Sequence, residues 1–147
     1  MVVMNISKIV YSEEGFFGPP AAFSLDLKRR EFVCGVGNHR GATINWRPRV
    51  RVSESDMHAI LGMVSECKFM RWRDVYDLEV TDGTQWELKL KSGRRVVKKV
   101  WGSNRWPRKW SAVSRLLAFF GAEDLFGPNA GDNVSVYDRS THSSHDH

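Results

Sequence analysis

The chain has two cysteines and five prolines in 147 residues, and no apolar run near the roughly 18 residues that a membrane-spanning helix needs. Cys34 falls in a predicted strand and Cys67 in a predicted helix. A single pair placed so makes a poor disulfide framework, and two buried free thiols are expected. The opening MVVMNISKIV has neither the charged start nor the long apolar stretch of a signal peptide. With no membrane span either, the expected location is cytoplasmic.

Catalytic signatures are equally scarce. His39 and His58 stand in no nucleophile elbow, zinc spacing or Cys-His signature. Gly35, Gly37 and Gly41 lack the Walker lysine and the strand-loop-helix setting of a phosphate loop. Glu13-Glu14 falls in a predicted loop, and Asp74, Asp77, Glu79 and Asp82 sit among basic neighbours as solvated ion-pair partners. His142, His145, Asp146 and His147 could bend around a metal, but nothing nearby would orient them as ligands. The expectation is a protein that is not an enzyme, with no cofactor and no metal site. No helix-turn-helix, RRM, KH or zinc-finger pattern is present either.

What the chain does have is ordinary globular composition and uneven charge. Apolar residues make up 41% and charged residues 27%, enough for one domain that folds alone. Residues 1–121 hold 21 Lys and Arg against 12 Asp and Glu, whereas residues 122–147 hold one Arg against five acids. The expected organisation is a single domain over 1–121 and a mostly disordered tail over 122–147, from which Leu125 and Phe126 could dock. So basic a folded part suits nucleic acid, an anionic membrane or an acidic protein surface, although many basic domains bind nothing charged.

Periodicity supplies the elements. Asn5–Tyr11 reads as a strand followed by a loop through SEEGFFGPP, Phe23–Lys28 as a half-buried strand, and Phe32–Val36 as its hairpin partner. Thr43–Val52 alternates cleanly, with Ile44, Trp46, Pro48, Val50 and Val52 on one side and Arg47, Arg49 and Arg51 on the other. Pro48 cannot donate to a central ladder, which predicts a sheet edge or a bulge. Ser53 caps a helix over about 54–68 that would bury Met57, Ile60, Leu61, Val64 and Cys67. Arg71, Trp72 and Arg73 form a basic aromatic connector to a strand near Tyr76–Val80, and Asp82-Gly83 is a turn. In Gln85–Lys91, Trp86, Leu88 and Leu90 face inward. The run Arg94–Trp101 loses its alternation at Val96-Val97 and Lys98-Lys99, as a bulge or a strand covered partly on both faces would make it do. Pro107 opens a last helix that buries Trp110, Val113, Leu116, Leu117 and Phe120 and stops at Gly121. The predicted fold is α+β: a largely antiparallel sheet of about five to seven strands with two helices packed on one face.

Two local features point to binding. Arg47, Arg49 and Arg51 form a cationic stripe, which either meets a partner or protects a sheet edge from aggregation. In Gly102–Lys109, GSNRWPRK, the cations Arg105, Arg108 and Lys109 crowd the positive end of a helix, where charge of that sign is unfavourable. A partner carboxylate or phosphate would relieve them, and so would an acidic residue from elsewhere in the chain.

Asp82-Gly83, the W-x-L strand Trp86-Glu87-Leu88, Gly102-Ser103-Asn104, Trp106-Pro107 and Trp110 together resemble a segment of small bacterial domains that look like the immunity proteins accompanying toxins and secreted effectors. The resemblance brings no catalytic residues and implies a toxin-neutralising protein. Trp and Arg stand around the proline where Tyr and Ala would be expected. The expected function is that of a non-enzymatic protein-binding domain that neutralises a cognate toxin or effector, an acidic protein partner, through a basic, Trp-containing surface. Arg47, Arg49, Arg51, Arg105, Arg108 and Lys109 would pair with its carboxylates and Trp106 would be the apolar anchor. Nucleic-acid binding by the same surface is the alternative.

Overall fold

The computed structural model describes residues 5–15, 18–77 and 83–129. In chain order these form β1 (Lys8–Gly15), β2 (Ala21–Asp26), β3 (Glu31–Val36), β4 (Asn45–Trp46), β5 (Val50–Arg51), α1 (Glu54–Cys67), β6 (Val75–Asp77), β7 (Thr84–Ser92), β8 (Arg95–Ser103) and α2 (Trp110–Ala118). The strands make one sheet in the order β4-β3-β2-β1-β7-β8-β6, with β5 also paired to β3. All pairings are antiparallel except β6 on β8, which is parallel. This is the expected α+β arrangement. The strand count is eight because Pro48 splits the Thr43–Val52 run into β4 and β5, which share one lane along β3.

Register decides which side chains face the helices. Ile9, Tyr11 and Glu13 align with Leu25, Phe23 and Ala21 on one side and with Leu90, Leu88 and Trp86 on the other. Period-two alternation therefore sends Val10, Ser12 and Glu14, with Ser24, Ala22, Lys89, Glu87 and Gln85, to the opposite face. Strand β1 reaches Gly15 rather than stopping at Tyr11, since Ser12 and Glu13 are paired on both sides. The bulge predicted in the run after Gly93 falls at Val97, skipped between the pairs Leu90–Lys98 and Lys91–Val96.

Helix α1 starts as expected, the Ser53 hydroxyl accepting the Asp56 amide at 3.1 Å, and ends at Lys68 in the left-handed region (φ 54°). Met57, Ile60 and Cys67 are buried, but Leu61 is 48% exposed because its side of the helix meets solvent. Trp72, in the predicted basic aromatic connector, is buried and donates from Nε1 to the Cys67 carbonyl at 2.9 Å. Helix α2 begins at Trp110, three residues later than Pro107 suggests, and a turn from Pro107 to Trp110 precedes it. Trp110 packs on Tyr11, and Phe120 stacks on Phe32 with centroids 4.0 Å apart, so α2 lies across the sheet.

The packed chain continues past Gly121. Single-turn 3-10 helices at Glu123–Leu125 and Gly127–Asn129 flank Phe126, which is fully buried against Tyr11 and Phe23. Residues 130–147, with the predicted His-rich tail, and Asp82 of the predicted turn lie outside the described residues.

Gly102 is opposite Trp86 in the β7–β8 register, and a Cβ there would run into the indole at Nε1 and Cε2. Gly102→Ala should destabilise the fold by about 1–3 kcal/mol through overpacking. Gly62→Ala, in open space on α1, should instead stabilise it by about 0.5–1 kcal/mol. Urea denaturation of the two variants checks both signs.

Candidate functional site

The seven residues singled out in the sequence do not form one surface. Arg47, Arg49 and Arg51 are exposed on the β4–β5 edge, where Arg49 Nη1 meets Glu31 Oε1 at 3.2 Å in an exposed pair that adds little stability. Arg105, Arg108 and Lys109 are half-exposed beyond the end of β8. Four strands lie between the two lanes, a separation on the order of 24 Å at the usual strand spacing.

Trp106 is not an exposed anchor. It is 1% exposed, its Nε1 donates to the Tyr11 hydroxyl at 3.1 Å, and its ring stacks on Trp86 at 12°. Trp86 in turn donates to the Arg105 carbonyl at 2.8 Å. Asn104 takes a left-handed conformation (φ 58°), and its Oδ1 accepts the Thr84 amide at 2.8 Å. Gly102, Asn104 and Trp106 are thus held by packing and hydrogen bonding.

The exposed tryptophans are Trp101 (42%) and Trp46 (54%). Trp101 pairs with Glu87 and Val75 on the sheet face away from the helices, and borders a hollow of about 430 Å³ with Met70, Val75, Val97 and Lys99. On its other side a groove of about 400 Å³ runs towards Pro20 and Ile44 over Ser12, Glu14, Gln85 and Glu87. Trp46 stands opposite Gly35 at the far edge.

Sequence reasoning missed a basic concavity. At the end of the sheet where β1 begins, a cleft of about 560 Å³ is lined by six cations, Lys8, Lys28, Arg29, Arg49, Lys91 and Arg94, against two acids, Asp26 and Glu31. Both acids are engaged. Asp26 Oδ1 accepts the amides of Lys28 and Arg29 at 3.0 and 2.8 Å, and Glu31 holds Arg49. Among the described residues, Lys8, Lys28, Arg29, Lys91 and Arg94 have no carboxylate within ion-pair distance. The traces in the sequence are two basic turns, LKRRE and SGRRV. Only the pairing of Lys8 with both Asp26 and Lys91 shows that the turns share one end of the sheet.

The titratable groups bound the chemistry. Burial pushes the Cys67 thiol up to about 12 and raises that of Cys34, where Arg47 pulls weakly the other way. Both stay protonated at neutral pH, unlike a reactive thiolate. His39 and His58 are exposed, and among the described residues no group of three or more His, Cys, Asp and Glu could hold a metal ion. None of the described helices is long and apolar enough to cross a membrane. No protein-family model and no curated protein matches the chain.

Glu13 is the most perturbed carboxyl. Its Oε1 accepts from the Tyr11 hydroxyl at 2.7 Å and from the Gly127 amide at 2.8 Å, which ties the C-terminal segment to β1. Burial raises its pKa to about 7, against those two hydrogen bonds, and burial with the adjacent Glu13 charge keeps the Tyr11 phenol well above its ordinary value. Between the unfolded value near 4.5 and about 7 the folded chain holds a proton that the unfolded chain has lost, so stability should fall as pH rises through that window. The expected loss is roughly 1–3 kcal/mol. Glu13→Gln keeps an oxygen for Tyr11 and Gly127 and should flatten the slope in denaturation measured from pH 4.5 to 8.

Proposed function

We propose that the chain is a non-enzymatic protein-binding domain of the immunity type, which neutralises a cognate bacterial toxin or effector in the cytoplasm. The observation that carries this reading is Trp101, exposed on the helix-free sheet face beside Val75 and bordering a hollow that Met70, Val97, Asp74, Lys98 and Lys99 also line. A large indole on an apolar patch ringed by charge has the anatomy of an interface hot spot. Trp101 thereby takes the anchoring role first assigned to Trp106, and Arg47 and Arg51 become rim contacts rather than central ones. Seven lanes are on the order of 29 Å across, and a square patch of that side is about the size of one partner's share of a standard interface, about 800 Å².

Nucleic-acid binding is the second reading, favoured by the five cations without carboxylate partners among the described residues and by Trp46 and Trp101 as stacking surfaces. The two readings differ in salt response, because phosphate contacts lose affinity steeply as counterions accumulate.

Co-expression with the products of neighbouring genes, followed by co-purification and a growth-rescue assay, should recover one toxic protein bound to this chain. Trp101→Ala should then weaken the complex by about 2 kcal/mol or more while leaving the melting temperature nearly unchanged, since the side chain is 42% exposed. Rescue without a complex, or a gel shift of nucleic acid that Trp101→Ala abolishes, would remove the protein-binding reading.

A further inference from the structure

We propose that the basic cleft at the β1 end of the sheet receives an acidic, extended segment of the protein partner, a proposal that rests on the protein-binding reading above. Two independent observations converge on it. First, cations from β1, β7 and both hairpin turns surround one concavity whose own carboxylates are already engaged. Second, Lys8 and Lys91 are direct cross-strand neighbours on the same face, an arrangement that destabilises a sheet. The other like pair in this part of the sheet, Lys89 and Lys99, has Glu87 at 3.7 and 3.3 Å. Among the described residues neither Lys8 nor Lys91 has a carboxylate within ion-pair distance: Asp26, opposite Lys8 on β2, turns its Oδ1 to the turn amides. An external anion set between the two ammonium groups would supply what Glu87 supplies to the other pair.

The chemistry favours carboxylates on a peptide over a nucleic-acid strand. Among the described residues no aromatic ring lines the cleft to stack a base, and Asp26 and Glu31 would lie close to a continuous phosphate chain. From the β3 lane to the β7 lane the cleft crosses three strand spacings, about 14 Å, which an extended peptide covers in four to five residues. Side chains projecting from such a segment can place carboxylates against Lys8 and Lys91 at its centre and against Arg29 and Arg94 at its margins, where the guanidinium forks pair bidentately.

Lys91→Glu separates this role from a structural one. It replaces a like-charge neighbour of Lys8 by an opposite one, so the variant should fold with a melting temperature at or above that of the parent. It should nevertheless bind a labelled decapeptide of alternating Asp and Gly at least about tenfold more weakly. Arg71→Glu makes the same change in net charge at an exposed site outside the cleft and should cost less than about threefold. An equal loss in both variants would reduce the effect to the general field and overturn the proposal. So would the absence of peptide binding at low salt, or tighter Lys91-dependent binding of a ten-nucleotide thymidine strand. If the peptide binds as expected but no toxic partner is recovered, the immunity reading falls and the cleft stands. If Lys91→Glu leaves a recovered partner's affinity unchanged, the cleft falls and that reading survives.

Discussion

The indole of Trp86 lies flat across the backbone of Gly102 on the neighbouring strand, its N–H donates to the Arg105 carbonyl, and its ring stacks on Trp106, Tyr11 and Tyr76. That contact sets the path of the chain out of β8, because Arg105 and Trp106 must follow the ring that they bond and stack upon. Trp106 passes the constraint to Tyr11, Tyr11 passes it to Glu13, and Glu13 holds the Gly127 amide. Segments from both ends of the described chain are therefore closed onto the core through one aromatic stack and three hydrogen bonds. Each bond in the relay stands in place of solvation that the buried groups have given up, so loss of any member leaves a donor or acceptor unsatisfied.

This concentration of rings on the helix side determines the character of the other side. Trp72, Trp86, Trp106 and Trp110, with Tyr11, Tyr76, Phe23 and Phe126, are spent on the interior. The helix-free face keeps Trp46, Trp101 and the alternate polar residues of each strand. The binding role proposed for that face thus rests on strand parity. The bulge at Val97 shifts that parity within β8, and Trp101 emerges on the open face while Val100 points inward.

Much of the architecture was legible where local rules act alone: the Ser53 cap, the inward set of Trp86, Leu88 and Leu90, the bulge near Val97, and the interruption at Pro48. The site was less legible because it depends on contacts between remote residues. Trp106 sits among cations and reads as exposed, yet its hydrogen-bond partner lies 95 positions away. Trp101 belongs to the run that loses its period, so its face could not be assigned. The basic cleft joins two turns more than 60 residues apart through β1, and each turn alone looks like an ordinary solvated hairpin end. Glu13 falls in SEEGFFGPP, whose density of turn formers reads as loop, yet it takes an inward strand position where the Tyr11 hydroxyl and Gly127 amide bond its carboxyl.

The positions carrying the resemblance to immunity proteins acquire physical roles that bear on what such a resemblance can convey. Gly102 clears space for Trp86, Asn104 closes the β7–β8 end against Thr84, and Trp106 and Trp110 fill the core. Every one of these roles concerns folding. Such positions can be shared by proteins that present quite different surfaces, since Trp101, Lys8, Lys91 and the turn cations are not among them. Recognition would then be written in residues that the fold leaves free to vary, and the place to look for it is where local electrostatics oppose the fold. On this sheet the Lys89–Lys99 pair is neutralised internally by Glu87 and the Lys8–Lys91 pair is not. The same strand supplies a carboxylate to one pair and withholds it from the other, which leaves a position where an external carboxylate improves the sheet as it binds.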